Sequence, residues 1–80
     1  MIIYTVQTNH LIKSADSLEQ YAKGSLPAWI LLGQVDRYAE AMRAAAALRA
    51  AAAERSIWVR REILRNSGFE IRRAREAARV

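Results

Sequence analysis

The 80-residue sequence contains no cysteine, one histidine, one proline and three glycines. Without cysteine the chain forms neither a disulfide nor a thiolate metal site, and a single histidine excludes a multi-histidine metal centre. The three scattered glycines match no phosphate-binding loop. We therefore expect a protein that is not an enzyme and that binds no metal or cofactor.

Long hydrophobic runs are also absent. The longest one, residues 26–32, is far shorter than the roughly 20 residues that span a bilayer. The N-terminus lacks the basic region and cleavage site of a signal peptide. We expect a cytoplasmic protein with no membrane partner, and a reducing environment fits the lack of cysteine.

The positive charge is concentrated in the second half of the chain. Residues 41–80 hold ten arginines against four glutamates, whereas residues 1–40 hold three basic and four acidic side chains. Such asymmetry favours a polyanionic partner, most often nucleic acid. The alternative is that base composition alone produced an alanine- and arginine-rich sequence.

The N-terminal residues 2–8, IIYTVQT, alternate as a β-strand does. A single strand cannot satisfy its own backbone hydrogen-bonding groups, and no second segment of similar quality follows. A chain of this length also has a small core, so association of two copies is favourable. We therefore expect the strand to pair with its counterpart in an intertwined homodimer.

The next residues have helical spacing, with apolar side chains at Leu11, Ala15, Leu18 and Ala22. This pattern predicts a short first helix that starts at Asn9 or at Ser14 and ends at Lys23. Gly24 is its expected stop, because glycine readily adopts the left-handed conformation that ends helices.

A long Ala/Arg-rich helix is expected after a short turn, with Pro27 near its start. Alanine is the best helix former, so this helix can run unbroken from about residue 28 to residue 65. The alternative is a hairpin that bends between residues 49 and 56. Asn66-Ser67-Gly68 is expected to end the helix that reaches residue 65, and a short final helix should then run through Ala78.

Arginines recur every six residues between Arg37 and Arg61, which places successive side chains a third of a turn apart. They cannot form one stripe, so AMRAAAALRAAAAERS is expected to be a spacer. The better basic cluster is in WVRREILR and EIRRAR. Its six arginines are the predicted nucleic-acid contacts: Arg60, Arg61, Arg65, Arg72, Arg73 and Arg75. Trp58 and Phe69 are expected to pack with Ile63 and Leu64 as a structural cluster.

The order of strand, helix, glycine turn and helix in residues 2–42 resembles the ribbon-helix-helix DNA-binding family. Gly24 matches the turn glycine, and the apolar positions of GSLPAWILLGQVDRY match the second helix. The resemblance implies that Thr5 and Gln7 face base edges in the major groove. The dimer interface expected from the resemblance and the apolar stripe comprises Ile2, Tyr4, Val6, Leu31, Val35, Tyr38 and Met42.

The expected fold is therefore mainly α: a short N-terminal strand, a short helix, a long Ala/Arg-rich helix and a short C-terminal helix. Residues 1–42 form the dimerisation unit of one domain, and residues 43–80 form its basic helical extension. We expect a small homodimeric DNA-binding protein, a transcriptional regulator or antitoxin-like repressor. The alternative is an inhibitor or adaptor, of the kind that phages and plasmids encode, that blocks one host protein through its helical surface.

Overall fold

The structure is a computed structural model that describes residues 8–78. These residues form four helices, namely α1 (Thr8–Leu32), α2 (Asp36–Ala53), α3 (Ile57–Asn66) and α4 (Gly68–Ala78). The principal extents are 47 × 19 × 19 Å, so the molecule is a short rod. The prediction of a mainly α protein is confirmed.

The predicted fold class is nevertheless wrong in its first element. The described residues contain helices and no strand, and Thr8, the last residue of the predicted strand, is the first residue of α1. The remaining strand residues, 2–7, lie outside the described residues. The intertwined dimer built on a paired strand therefore has no support from this fold.

The first helix is much longer than predicted, because it does not stop at Gly24. It continues through Pro27, where one backbone hydrogen bond to the Lys23 carbonyl is necessarily lost. The continuation places Trp29 in a buried cluster with Ala22 and Ala41. Burial of a large aromatic side chain offsets the cost of a glycine and a proline within the helix.

The stop lies nine residues later, at Gly33, whose φ of +69° is in the left-handed region. The Gln34 N–H donates to the Trp29 carbonyl at 2.8 Å, and the Gly33 N–H donates to the Ile30 carbonyl at 3.3 Å. This pair of bonds is the Schellman arrangement that caps helix C-termini. A three-residue connection then reverses the chain, and α2 packs antiparallel to α1.

The alanine-rich segment is the core of this helical hairpin, not a spacer. The buried face of α2 consists of Ala41, Ala44, Ala45, Leu48, Ala51 and Ala52. It packs against α1, where the predicted stripe of Leu11, Ala15, Leu18 and Ala22 is confirmed as buried. Small side chains allow the two helix backbones to approach closely, so these alanines contribute packing through their low volume.

The predicted continuous helix from residue 28 to residue 65 is also wrong, and the alternative bend is the observed one. The second helix ends at Ala53, and the backbone is extended at Glu54 and at Ser56. The Ser56 side chain accepts from the Val59 N–H at 3.3 Å, which caps α3. The Glu54 carboxylate accepts from the Ser56 N–H at 3.1 Å.

The last two helices fold back onto α2. The predicted stop at Asn66-Ser67-Gly68 and the final helix through Ala78 are confirmed. Ile71 and Ala74 of α4 are buried in the main core, and Ile63 and Leu64 of α3 pack against it. One outer face of α3 and α4 therefore remains in solvent.

Candidate nucleic-acid interface

The third and fourth helices carry most of the excess positive charge. Together they hold six arginines against three glutamates. In α1, by comparison, two lysines are balanced by Asp16 and Glu19. The predicted arginine cluster is thus on two adjacent helices, and each arginine's contacts decide whether it is available to a partner.

Arg60 is used by the fold. Its Nε donates to the Ala51 carbonyl at 2.8 Å, and its Nη2 donates to the carbonyls of Ala52 at 3.2 Å and Glu54 at 2.8 Å. Nη2 also lies 3.3 Å from the Thr8 Oγ1. The side chain thereby gives a donor to the carbonyls of Ala52, at the end of α2, and Glu54, in the bend that follows, and a second donor to the Ala51 carbonyl, which also accepts from the Glu54 N–H at 3.2 Å. It therefore holds the bend between α2 and α3.

Three other predicted arginines are exposed but have local partners. Arg65 pairs with Glu62 in the same helix at 3.2 Å. Arg73 reaches Glu40 of α2 at 3.5 Å. Arg61 lies over the Trp58 ring, with its guanidinium carbon 5.6 Å from the ring centroid. Exposed ion pairs contribute little to stability, so the guanidinium groups of Arg65 and Arg73 can exchange partners readily.

Arg72 and Arg75 of α4 differ from the others. Both are exposed, and within residues 8–78 neither side chain has an ion pair or a hydrogen bond. Guanidinium groups in this state can make bidentate contacts with phosphate without first breaking an existing bond. They are the two predicted contacts that the fold leaves most available.

The aromatic side chains of this region are on the surface. Trp58 is 74 % exposed and Phe69 is 66 % exposed, so the predicted structural cluster with Ile63 and Leu64 does not form. Each ring has an arginine over it instead: Arg61 over Trp58, and Arg73 over Phe69 at 5.6 Å. The prediction failed because Ile63 and Leu64 face the core while the two rings lie on other faces of their helices.

The residues predicted for a dimer interface are separated by the structure. Tyr38 and Met42 pack against the intramolecular cluster of Ala22, Trp29 and Ala41. Leu31 is 87 % exposed, and Val35 is also exposed, at the hairpin end of the rod. The other predicted interface residues, Ile2, Tyr4 and Val6, lie outside the described residues, as do the predicted base contacts Thr5 and Gln7.

Arg49 joins the two helices of the hairpin at a charge cluster that sequence analysis did not anticipate. It pairs with Asp16 at 2.7 Å and with Glu19, which also pairs with Lys23 at 2.7 Å. The bonds from Lys23 and Arg49 lower the pKa of Glu19, and bonds to Asp16 and Glu19 raise the pKa of Arg49. These four charges sum to zero, so the excess positive charge of residues 8–78 lies elsewhere, mainly on α3 and α4.

The described residues contain no group of three or more histidine, aspartate and glutamate side chains arranged to hold a metal ion. None of the helices within residues 8–78 combines the length and apolar character needed to cross a membrane. Comparison with protein-family models, curated proteins and solved structures finds no match to this chain. The ribbon-helix-helix resemblance stays a hypothesis, and the turn that it requires at Gly24 falls within α1.

Proposed function

We propose that this chain is a non-enzymatic nucleic-acid-binding protein that contacts the phosphate backbone with α4 and the exposed side of α3. The observation that supports it most is the exposure of Arg72 and Arg75 without partners among residues 8–78. Arg61 and Arg65 of α3 and Arg73 of α4 add further positive charge to the same two helices. Backbone contacts of this kind supply affinity that is independent of sequence and sensitive to salt.

The exposed rings fit the same partner. A tryptophan or phenylalanine with an arginine alongside can stack on an unpaired base, whereas exposure of both rings to water is unfavourable. Trp58 with Arg61 and Phe69 with Arg73 supply two such pairs. DNA is the partner expected from the sequence, in a cytoplasmic protein.

The test compares two double variants with equal charge. Arg72→Ala/Arg75→Ala removes the two partnerless arginines of α4. Arg37→Ala/Arg55→Ala is the matched control, because those two exposed guanidinium groups also lack a partner among residues 8–78 but lie outside α3 and α4. Fluorescence anisotropy with labelled DNA should show a much larger loss of affinity for the first variant. Equal losses would mean that only net charge matters, and would contradict an α4 site.

A role in transcription needs sequence preference in addition to affinity. The resemblance to the ribbon-helix-helix family implies that Thr5 and Gln7 supply that preference, and this finer assignment is part of the proposal. Gln7→Ala should reduce discrimination against one altered base pair by about 1 to 3 kcal/mol without changing affinity for unrelated DNA. An unchanged preference would remove base recognition from this segment and leave a protein that binds DNA without sequence specificity.

A second candidate function is favoured by the hairpin end of the rod. Ile30, Leu31, Leu32 and Val35 are all exposed there, close together in sequence around Gly33. A group of exposed large apolar side chains is typical of a protein–protein contact. This surface fits an adaptor or inhibitor that binds one host protein, or a contact between two copies of this chain.

Sedimentation of wild type and Leu31→Glu separates these uses. If wild type self-associates and Leu31→Glu is monomeric, the exposed apolar side chains at the hairpin end form the contact of a homo-oligomer. If both are monomeric and the chain has no affinity for nucleic acid, the adaptor function replaces the first proposal. A single host protein recovered by wild type and not by Leu31→Glu would then identify the target.

A further inference from the structure

A groove of about 300 Å³ lies between the N-terminal half of α1 and α4. Its polar lining consists of His10, Lys13, Ser14, Ser17 and Arg75, and Leu18 is part of its apolar lining. Lys13 and Arg75 supply two positive charges, and the other polar side chains supply hydrogen-bond donors. Among residues 8–78, no carboxylate side chain lines this groove.

The four polar residues of α1 lie on one face by virtue of their spacing. His10, Lys13, Ser14 and Ser17 are at positions i, i+3, i+4 and i+7, which share an arc of about 100° on a helix. The adjacent buried side chain, Leu18, belongs to the main core. The core thus fixes α1 against α4 and brings Arg75 to the same groove.

The acidic residues of this part of α1 do not oppose the groove. Asp16 and Glu19 lie outside that arc and pair with Arg49 of α2. The groove near the hairpin end has a different composition, because Asp36, Glu40 and Glu76 line it together with Arg37 and Arg73. Of these two grooves, the one between α1 and α4 has the lining that suits an anion, because its described residues combine two cationic side chains with polar groups that can donate hydrogen bonds and include no carboxylate side chain.

We propose that the α1–α4 groove binds a phosphate group. Lys13 and Arg75 would neutralise the charge from opposite helices, while the Ser14 and Ser17 hydroxyls donate hydrogen bonds to the phosphate oxygens. His10 lies at the same groove and offers a ring N–H. This inference rests on the proposed function, because it takes the bound phosphate group to belong to a nucleic-acid backbone.

Two double variants test the groove. Ser14→Ala/Ser17→Ala removes the hydroxyls without changing charge, and alanine has the higher helix propensity, so α1 should be retained. Its affinity for DNA should fall by about tenfold, with an unchanged dependence on salt. Lys13→Ala/Arg75→Ala should also reduce the salt slope, by about 0.9 for each lost phosphate contact. Arg37→Ala/Arg55→Ala serves again as the control for charge.

Backbone amide NMR on the full chain gives the second readout, with DNA and with inorganic phosphate as separate probes. We expect both probes to shift the amides of Lys13, Ser14, Ser17 and Arg75. The phosphate site in the groove would be overturned if DNA bound Ser14→Ala/Ser17→Ala with full affinity and shifted only the amide signals of α3 and the outer face of α4. That result would leave the proposed function standing.

The opposite failure is also distinguishable. If no nucleic acid binds at low salt, the proposed function is wrong. The titration with inorganic phosphate then shows by itself whether the groove is a phosphate site. Amide shifts that inorganic phosphate causes only at the groove, and that are lost in Ser14→Ala/Ser17→Ala, would support a site for a phosphate group from another source. No shift with either probe overturns the site.

Discussion

Replacement of Arg60 by alanine is expected to destabilise the protein without weakening its interaction with nucleic acid. The side chain donates three hydrogen bonds to carbonyls of Ala51, Ala52 and Glu54, two of them 2.8 Å long. A hydrogen bond from a charged donor contributes about 1.5 to 3 kcal/mol. Arg60 is only half-buried, so water replaces part of what is lost, and we expect a total cost of about 2 kcal/mol.

Urea denaturation followed by circular dichroism measures this cost, and about 2 kcal/mol corresponds to a decrease in Tm of about 8 to 16 °C for a domain of this size. Arg65→Ala is the control, because its exposed partner Glu62 is in the same helix and the expected change is below about 0.5 kcal/mol. The slope of log affinity against log salt should be the same for wild type and Arg60→Ala. A stable Arg60→Ala protein with a reduced slope would refute the structural role of Arg60.

Three further outcomes are expected. Leu48→Ala should lower the free energy of unfolding, measured by urea denaturation, by about 3 kcal/mol, because Leu48 is 3 % exposed in the main core. A decrease below about 1 kcal/mol would mean that the core is not closely packed around Leu48. Trp58→Ala should change stability by less than about 0.5 kcal/mol, whereas Trp29→Ala should cost about 3 to 5 kcal/mol, and the reverse order would contradict the placement of the two rings. Lys23 and Arg49 lower the pKa of Glu19, so the ionised Glu19 stabilises the fold above the ordinary glutamate pKa, and this stabilisation is lost as the pH falls through the lowered value. In an acid titration followed by circular dichroism, Arg49→Met should lose less stability over that pH range than wild type does. Identical curves would refute the coupling.

Local patterns in the sequence were sufficient for some of the fold. The stripe from Leu11 to Ala22 follows from periodicity, and the stop around Gly68 follows from turn chemistry. The stop at Gly33 was missed because Gly24 and Pro27 give a stronger local signal, and only the burial of Trp29 against Ala41 outweighs them. That contact joins two helices and has no signature within either one.

The candidate site was predictable in composition and not in detail. The density of arginine in residues 60–75 indicates a basic surface, and the structure places that surface on α3 and α4. Nothing in the sequence separates Arg60 from Arg61, yet one of them satisfies the end of α2 and the other lies over Trp58. Similarly, Lys13 and Arg75 are far apart in the chain, and their common groove depends on the packing of α1 against α4.

The most direct test of the proposed nucleic-acid interface is the affinity of the wild-type chain for DNA across a range of salt concentrations. Arg72 and Arg75 alone should release enough counterions for a slope of log affinity against log salt of about −1.8, and the neighbouring arginines should make it steeper. The slope is measured by anisotropy with labelled oligonucleotides, starting at about 50 mM salt, where phosphate contacts are strong. A steep negative slope that becomes shallower in Arg72→Ala/Arg75→Ala is the predicted result. Absence of binding at the lowest salt, or an affinity that does not depend on salt, would contradict it.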